Sequence, residues 1–150
     1  MIPTRITVHC SATKDLERLP ASKIREWHIA RGWKDIGYAL VIQPDGEVEL
    51  GRGLNNQGAH VEGENEGNIG ICLIGTSRYS PVQLQSLRHQ IHSILWAYPT
   101  IDPWEIYCHN EFDSAKKQGK TCPGFSGNRL RHWYHTDPSA LAPNMIYTRP

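Results

Sequence analysis

The sequence contains no hydrophobic run that approaches the roughly 18 residues a helix needs to cross a bilayer. The first residues, Met1 to Arg5, also lack the apolar core of a secretory leader. We therefore expect a protein made in the cytoplasm without a signal peptide and without insertion into a membrane. If its substrate lies outside the membrane, another factor must release it.

An excess of charge of either sign is also missing. The 16 Lys and Arg residues nearly balance the 15 Asp and Glu residues, which leaves a net charge of +1. Proteins that bind nucleic acid carry a basic surface for the phosphates, so this balance argues against such a partner. A hydrophobic fraction of 39% in 150 residues is typical of one globular domain with its own core.

The four cysteines include no Cys-x-x-Cys pair, the usual sign of a structural zinc site. Disulfides are not expected in a protein made in the cytoplasm. Cys10, Cys72 and Cys108 lie within apolar runs and are predicted to be small buried residues. Cys122 differs, because it lies in a loop rich in Gly, Pro and Lys where a buried residue has little reason to be.

The hydrophobic pattern alternates between strand-like and helix-like runs. Strands are predicted over residues 5–10, 37–43, 47–50, 68–75 and 105–109, and helices over 22–31, 81–98 and 126–135. Ser22 and Ser80 are the predicted N-caps of the first two helices. For Ser80 the following Pro81 and Gln83 complete a capping box.

These elements predict an α/β (α+β) single domain with a mixed central sheet of about five strands and helices packed on its faces. We assign the domain to residues 1–136. Residues 137–150, which contain three prolines, are predicted to be a tail without a domain of its own.

Two histidines each end a predicted strand and precede a polar loop. His9 ends the first strand and His109 the last. Because strand ends can meet at one edge of a sheet, where ligand sites commonly form, we expect the two imidazoles to lie together. With Cys122 they make three candidate ligands of one catalytic Zn²⁺ per chain, since zinc binds imidazole and thiolate and a catalytic site keeps its fourth position for water.

Seven short motifs follow one another in an order that is typical of one family. They are Val8-His9-Cys10-Ser11-Ala12-Thr13, Ile24-Arg25-Glu26-Trp27-His28 with Gly32-Trp33, Asp35-Ile36-Gly37-Tyr38, Asp45-Gly46-Glu47-Val48-Glu49 with Gly51-Arg52, Gly58-Ala59-His60 with Gly63 and Asn65, Ile69-Gly70-Ile71-Cys72-Leu73-Ile74-Gly75, and Lys120-Thr121-Cys122-Pro123-Gly124-Phe125. Over about residues 6 to 134 the chain resembles the type 2 N-acetylmuramoyl-L-alanine amidases. Their superfamily includes the peptidoglycan-recognition proteins, and the likeness is greatest to its small phage lysozymes.

The resemblance implies a zinc amidase that cuts the bond between N-acetylmuramic acid and the L-alanine of the peptidoglycan stem peptide. It assigns the metal to His9, His109 and Cys122, and catalytic roles to Tyr38 and Lys120. The segment between His109 and Cys122 is longer than in the phage lysozymes, so Lys120 is matched by its place two residues before the cysteine. The N-terminal arm of those enzymes is missing here.

Two further residues are candidates for substrate binding. His60 lies in a Gly-rich turn and either lines a substrate groove or stabilises its own loop. Glu111, two residues after His109, is either a general base, a partner of a metal ligand, or an ordinary loop carboxylate.

The predicted function is that of a phage or prophage endolysin, a monomer that waits in the cytoplasm and reaches the periplasmic cell wall through a holin. A cytosolic amidase that recycles muropeptides would share the chemistry and is the first alternative. A non-catalytic peptidoglycan-binding module is the second; the resemblance associates such modules with loss of the cysteine ligand, and Cys122 is present. A regulator that binds a polymerase has no positive feature in this sequence.

Overall fold

The computed structural model describes residues 1–138, so the predicted tail lies almost entirely outside the described residues. Along the chain the elements are β1 (Arg5–Cys10), α1 (Ala21–Ala30), β2 (Leu40–Ile42), β3 (Val48–Leu50), β4 (Asn68–Leu73), α2 (Pro81–Ala97), β5 (Ile106–Cys108), α3 (Asp113–Lys117) and α4 (Gly127–His135). A 3-10 turn, His109–Glu111, separates β5 from α3. None of the helices within residues 1–138 combines the length and the apolar character that a bilayer span requires.

The five strands form one mixed sheet in the order β3-β2-β4-β1-β5, which confirms the predicted fold class. The central strand β4 runs parallel to β1 and to β2, and β1 runs parallel to β5. Only β3 is antiparallel to its neighbour, because a short turn after Ile42 joins it to β2. The parallel strands end at one edge, so the residues that follow them are brought together.

Helices cover both faces of the sheet. Ile6 and Val8 of β1 share a core cluster with Leu87 of α2 and Leu130 of α4. Side chains alternate along a strand, so Thr7 and the other residues of opposite parity point to the second face. That face carries a smaller apolar cluster, to which α1 contributes Ala21 and Ile24 and the sheet contributes Val41 and Cys72.

The predicted start of α2 is confirmed, whereas that of α1 is wrong. Ser80 Oγ accepts from the backbone N–H of Gln83 at 3.0 Å and closes the predicted capping box. Ser22 is not an N-cap, because α1 begins one residue earlier, directly after Pro20. The N–H of Ala21 donates instead to the carboxylate of Glu49 in β3, at 3.2 Å. A tertiary contact thus replaces the local cap.

Several segments differ from their predicted structure. The strands predicted to reach residues 75 and 109 end at Leu73 and Cys108, and His109 begins the 3-10 turn. The strand predicted from residue 37 begins only at Leu40, because the N–H of Gly37 donates to His28 Nδ1 at 2.8 Å and not to a neighbouring strand. A side chain at Gly37 would meet the carbonyl oxygen of Ala59, which explains the glycine. The loop predicted after His109 contains α3, a helix of five residues.

Candidate metal centre and substrate cleft

Strand register brings His9 and His109 together. Val8 of β1 pairs with Cys108 of β5 in the parallel ladder, and a histidine is the next residue on each chain segment. The two imidazole rings consequently lie with their centroids 4.4 Å apart. His9 is buried and His109 is half-buried. This juxtaposition is the one expected from the two strand ends.

Cys122 reaches the same place from the loop before α4. The backbone N–H of Cys10 donates to its Sγ at 2.9 Å. One ligand atom from each of His9, His109 and Cys122 lies within 4.8 Å of the other two. Among residues 1–138, these three side chains form the group whose ligand atoms lie close enough together to hold a metal ion.

Asn110 holds the Cys122 loop in position. Its backbone N–H donates to the carbonyl of Cys122 at 3.0 Å. Its side-chain amide donates to the carbonyls of Thr121 and Phe125 at 3.1 Å and 2.9 Å. Sequence reasoning missed this residue, whose one available signal is that it directly follows His109.

The electrostatics of the centre suit zinc. Burial lowers the pKa of His9 well below 6.5, and burial together with the charge of Lys120 lowers the pKa of His109 to about 4. Both imidazoles are therefore neutral near pH 7, and a neutral imidazole has the free lone pair that a metal requires. The contact with the Cys10 thiol, together with burial, raises the pKa of Cys122, so the metal-free side chain is a thiol whose proton a binding cation would displace. Two imidazoles and a thiolate are a donor set that zinc accepts, so these residues fit the ion.

His60 lies directly behind His9. Its Nδ1 is 2.8 Å from His9 Nε2, and its Nε2 is 2.8 Å from the backbone carbonyl of Asn68. Asn65 fixes the loop, since its Oδ1 accepts from the backbone N–H groups of His60 and Val61, both at 2.8 Å. Burial lowers the pKa of His60 to about 4. His60 also lines a surface depression beside the candidate centre. It therefore lies at a cleft and is also hydrogen-bonded within the fold, which are the two alternatives that the sequence left open.

Two glycines make room for the His60 ring. A Cβ atom added to Gly70 of β4 would lie 2.7 Å from the imidazole, and one added to Gly58 would lie 2.8 Å from it. Real Cβ atoms do not approach that closely, so any side chain at either position would displace His60. The ring is thus packed flat on the sheet.

Tyr38 borders the centre on the side of α1. Its ring centroid lies 5.1 Å from that of His9 and 5.5 Å from that of His28. Burial raises the pKa of Tyr38 well above 10, so the side chain remains a neutral phenol with a hydrogen to donate.

Two adjoining depressions form a cleft around the candidate metal centre. The first has a volume of about 370 Å³ and the second about 420 Å³. Arg31, His109 and Lys120 line both of them. The walls of the first include Trp27, His28, Tyr38 and Cys122, and those of the second include Trp33, His60 and Glu62. Cations and aromatic rings thus border the centre on both sides.

Glu111 is not among the residues that line either depression. Its Oε1 lies 2.8 Å from Arg131 Nη2, and its Oε2 accepts from the backbone N–H of Cys108 at 2.8 Å. Both carboxylate oxygens therefore have partners that connect β5 to α4. The role of Glu111 in substrate binding stays a prediction, and no local pattern in the sequence indicates its partner Arg131, which lies 20 residues later.

A family model described as N-acetylmuramoyl-L-alanine amidase matches residues 1–125. The endolysin of Escherichia phage T7 is 36% identical over 137 residues, which cover 86% of this chain and 83% of the relative.

Two solved structures extend the likeness to the fold. The N-acetylmuramoyl-L-alanine amidase LysC from Clostridium intestinale superposes with a TM-score of 0.73 at 25% identity, over 95% of this chain and 85% of that one. A point mutant of Drosophila PGRP-LB, in complex with tracheal cytotoxin, superposes with a TM-score of 0.74 at 26% identity, over 90% and 84% of the two chains.

Proposed function

Because this chain belongs to the N-acetylmuramoyl-L-alanine amidase family, we propose a reaction in which its own side chains hold one zinc ion beside the scissile amide. The protein is a peptidoglycan amidase of the phage endolysin type. It hydrolyses the bond between N-acetylmuramic acid and the L-alanine of the stem peptide.

His9, His109 and Cys122 would hold the zinc ion. The observation that supports this assignment is the convergence of their ligand atoms within 4.8 Å beside the cleft. Such an ion supplies Lewis acidity and activation of water near neutral pH. The side chains around it must then position the amide and stabilise the charge that develops on its oxygen.

Tyr38 is proposed to donate its phenolic hydrogen to the oxygen of the scissile amide. Its burial raises the pKa of the phenol well above 10 and so keeps it protonated near neutral pH, and its ring borders that of His9. A donor that is already fixed in place needs no reorganisation as the charge grows. Removal of one such donor typically lowers the rate by about 100- to 1000-fold.

Lys120 is proposed to stabilise the same developing charge as a cation. It is exposed in both depressions, and its backbone N–H donates to the carbonyl of Ala115 in α3 at 2.9 Å. Its place two residues before Cys122 keeps its ammonium group near the centre. Either Tyr38 or Lys120 could also pass a proton to the departing amine of L-alanine.

Peptidoglycan is the binding partner of this protein. The cleft walls suit a muramyl peptide, because Arg31 and Lys120 can pair with stem-peptide carboxylates while Trp27 and Trp33 offer apolar surface. A relative of the same fold, the PGRP-LB mutant, was solved with the peptidoglycan fragment tracheal cytotoxin.

We further propose that residues 1–136 act as a monomeric domain on the cell wall, after synthesis in the cytoplasm and release through a holin. The support for this route is the likeness to phage endolysins, one of which matches over most of its length.

Digestion of purified sacculi tests the proposed function. The wild type should release L-alanine amino groups without new reducing sugar ends, a chelator should stop the release, and added zinc should restore it. Cys122→Ser should fold but neither bind zinc with wild-type affinity nor recover with added zinc. Lysis that resists chelation, or full activity of Cys122→Ser, would contradict the zinc centre.

The same assay separates the alternatives. A muropeptide-recycling amidase would cleave soluble anhydro-muropeptides much faster than intact sacculi, whereas an endolysin should clear sacculi efficiently. A binding module would sediment with sacculi and release no L-alanine amino groups.

A further inference from the structure

The His60 imidazole lies between a hydrogen-bond acceptor and a proposed metal ligand. On one side the carbonyl oxygen of Asn68 is 2.8 Å from His60 Nε2. On the other side His9 Nε2 is 2.8 Å from His60 Nδ1. Both contacts have the length of good hydrogen bonds, so each needs one donor and one acceptor.

The carbonyl fixes the direction of both bonds. A carbonyl oxygen only accepts, so His60 Nε2 must carry the hydrogen. In a neutral ring His60 Nδ1 is then bare and accepts, which makes His9 Nε2 the donor. A neutral His9 with its hydrogen on Nε2 has its free lone pair on Nδ1.

If His60 Nδ1 donated to His9 Nε2 instead, His9 could not offer Nδ1 to a metal ion. A doubly protonated His60 would donate to His9 Nε2 and leave His9 with its hydrogen on Nδ1. It would also place a second positive charge next to the site of a divalent cation, which Coulomb repulsion opposes.

We propose that His60 is a positioning residue that fixes His9 in its Nε2–H tautomer and so presents His9 Nδ1 as the ligand nitrogen. This inference rests on the proposed zinc centre and names the group that prepares one of its ligands. Outer partners of this kind typically contribute about 10- to 100-fold to metal affinity.

The surroundings of His60 are built to hold that orientation. Gly58 and Gly70 leave space for the ring, and Asn65 fixes the backbone on which it stands. The Asn68 side chain is held as well, because its Oδ1 accepts from Thr7 Oγ1 at 2.7 Å and its amide donates to the Glu64 carbonyl at 2.9 Å. The acceptor that determines the bond direction is therefore itself immobilised.

Nitrogen-15 NMR of the full-length, metal-free protein tests the tautomer directly. In the wild type, His9 should show the shift pattern of a ring protonated on Nε2 alone. His60→Leu removes the acceptor and should give a mixture of both tautomers. A wild-type His9 protonated on Nδ1 would overturn the inference, whether or not the variant folds.

Chelator competition tests the consequence for zinc. His60→Leu should weaken zinc affinity by about 10- to 100-fold. His60→Asn, whose side-chain carbonyl can accept from His9 Nε2–H near the position of the lost Nδ1, should recover part of it. His89→Leu, the same change at an exposed position on α2, should leave the affinity unaltered.

The measurements separate a failure of the His60 role from a failure of the zinc centre. Wild-type affinity in His60→Leu would overturn the role of His60 and leave the zinc centre standing. A wild type that binds no zinc would overturn the centre, while the NMR experiment would still report whether His60 controls the His9 tautomer.

Discussion

Glu111 and Arg131 form a paired contact in which Glu111 Oε1 lies 2.8 Å and Oε2 3.1 Å from guanidinium nitrogens. The two side chains are only 26% and 17% exposed. Arg131 also donates to the carbonyl of Ile106 at 2.7 Å, so the pair connects α4 to β5, the strand that directly precedes His109. Neither residue lines the cleft beside the proposed metal ligands.

Glu111→Gln should therefore lower stability and spare catalysis. The change leaves the Arg131 charge without its partner in a largely buried place, which should cost about 1–3 kcal/mol in the free energy of unfolding measured with urea. At 25 °C the folded variant should keep kcat within about twofold of the wild type. The matched control, Glu66→Gln at an exposed position, should change neither quantity.

A different result would restore the general-base hypothesis for Glu111. General bases contribute about 100- to 10,000-fold to a rate. A fall of that size in kcat, with the unfolding free energy unchanged, would show that the carboxylate acts in the reaction.

Asn110→Ala should weaken zinc binding although Asn110 is not a proposed ligand. The change removes the side-chain hydrogen bonds to Thr121 and Phe125 and frees the loop that presents Cys122. We expect the dissociation constant for zinc to rise about tenfold in chelator competition. Asn56→Ala, which removes one exposed bond to the Arg52 carbonyl, is the control and should bind zinc normally. Equal affinities in the two variants would contradict a role for the Asn110 contacts.

Lys120→Met should act on the rate and not on the metal. Methionine keeps much of the side-chain length and removes the cation, so kcat should fall by about 100- to 1000-fold while bound zinc, measured by elemental analysis, stays at one per chain. Tyr38→Phe should show the same separation. Lys117→Met, an exposed change at the end of α3, is the control. A Lys120→Met enzyme of normal kcat would remove this residue from the mechanism.

The metal-free protein should lose stability between pH 6.5 and pH 4. Burial lowers the pKa of His28 from 6.5 to about 4, and its Nδ1 accepts from the Gly37 N–H. The unfolded chain takes up the proton first, so the contribution of His28 is complete above pH 6.5 and is lost as the pH falls toward 4. Between pH 7 and pH 5 the loss should reach at most about 2 kcal/mol.

His28→Asn isolates that contribution. The asparagine carbonyl can still accept from Gly37 but does not titrate. Urea unfolding in chelator at pH 7 and pH 5 should therefore show a smaller difference than in the wild type. The remainder belongs to other imidazoles whose pKa is lowered, including His109. If the free energy of unfolding changes by the same amount between pH 7 and pH 5 in His28→Asn and in the wild type, the lowered pKa of His28 does not contribute to that change.

The sequence predicts that His9 and His109 lie together because the signals for this juxtaposition are local. A stretch of about six residues is enough to recognise a histidine that follows a strand. The parallel pairing of Val8 with Cys108 then places His9 beside His109. The capping box of α2 is equally local, and its prediction is confirmed.

The features that sequence reasoning missed depend on distant partners. The cap of α1 comes from Glu49, which lies 28 residues away, so a local serine predicted the wrong start. His60 meets His9 across 51 residues, and no local pattern in the sequence indicates this contact. The partner of Glu111 lies on a helix whose packing no periodicity reveals. Helix α3 is too short for a hydrophobic pattern to predict.

The hydrogen bonds from Asn110 to the Cys122 loop determine where this chain can accept insertions. They anchor both ends of the segment between the second and third proposed ligands, so the length of that segment can change without moving these two residues apart. That stretch is the natural place to graft a longer specificity loop, whereas a one-residue insertion within β5 would turn His109 away from its partners.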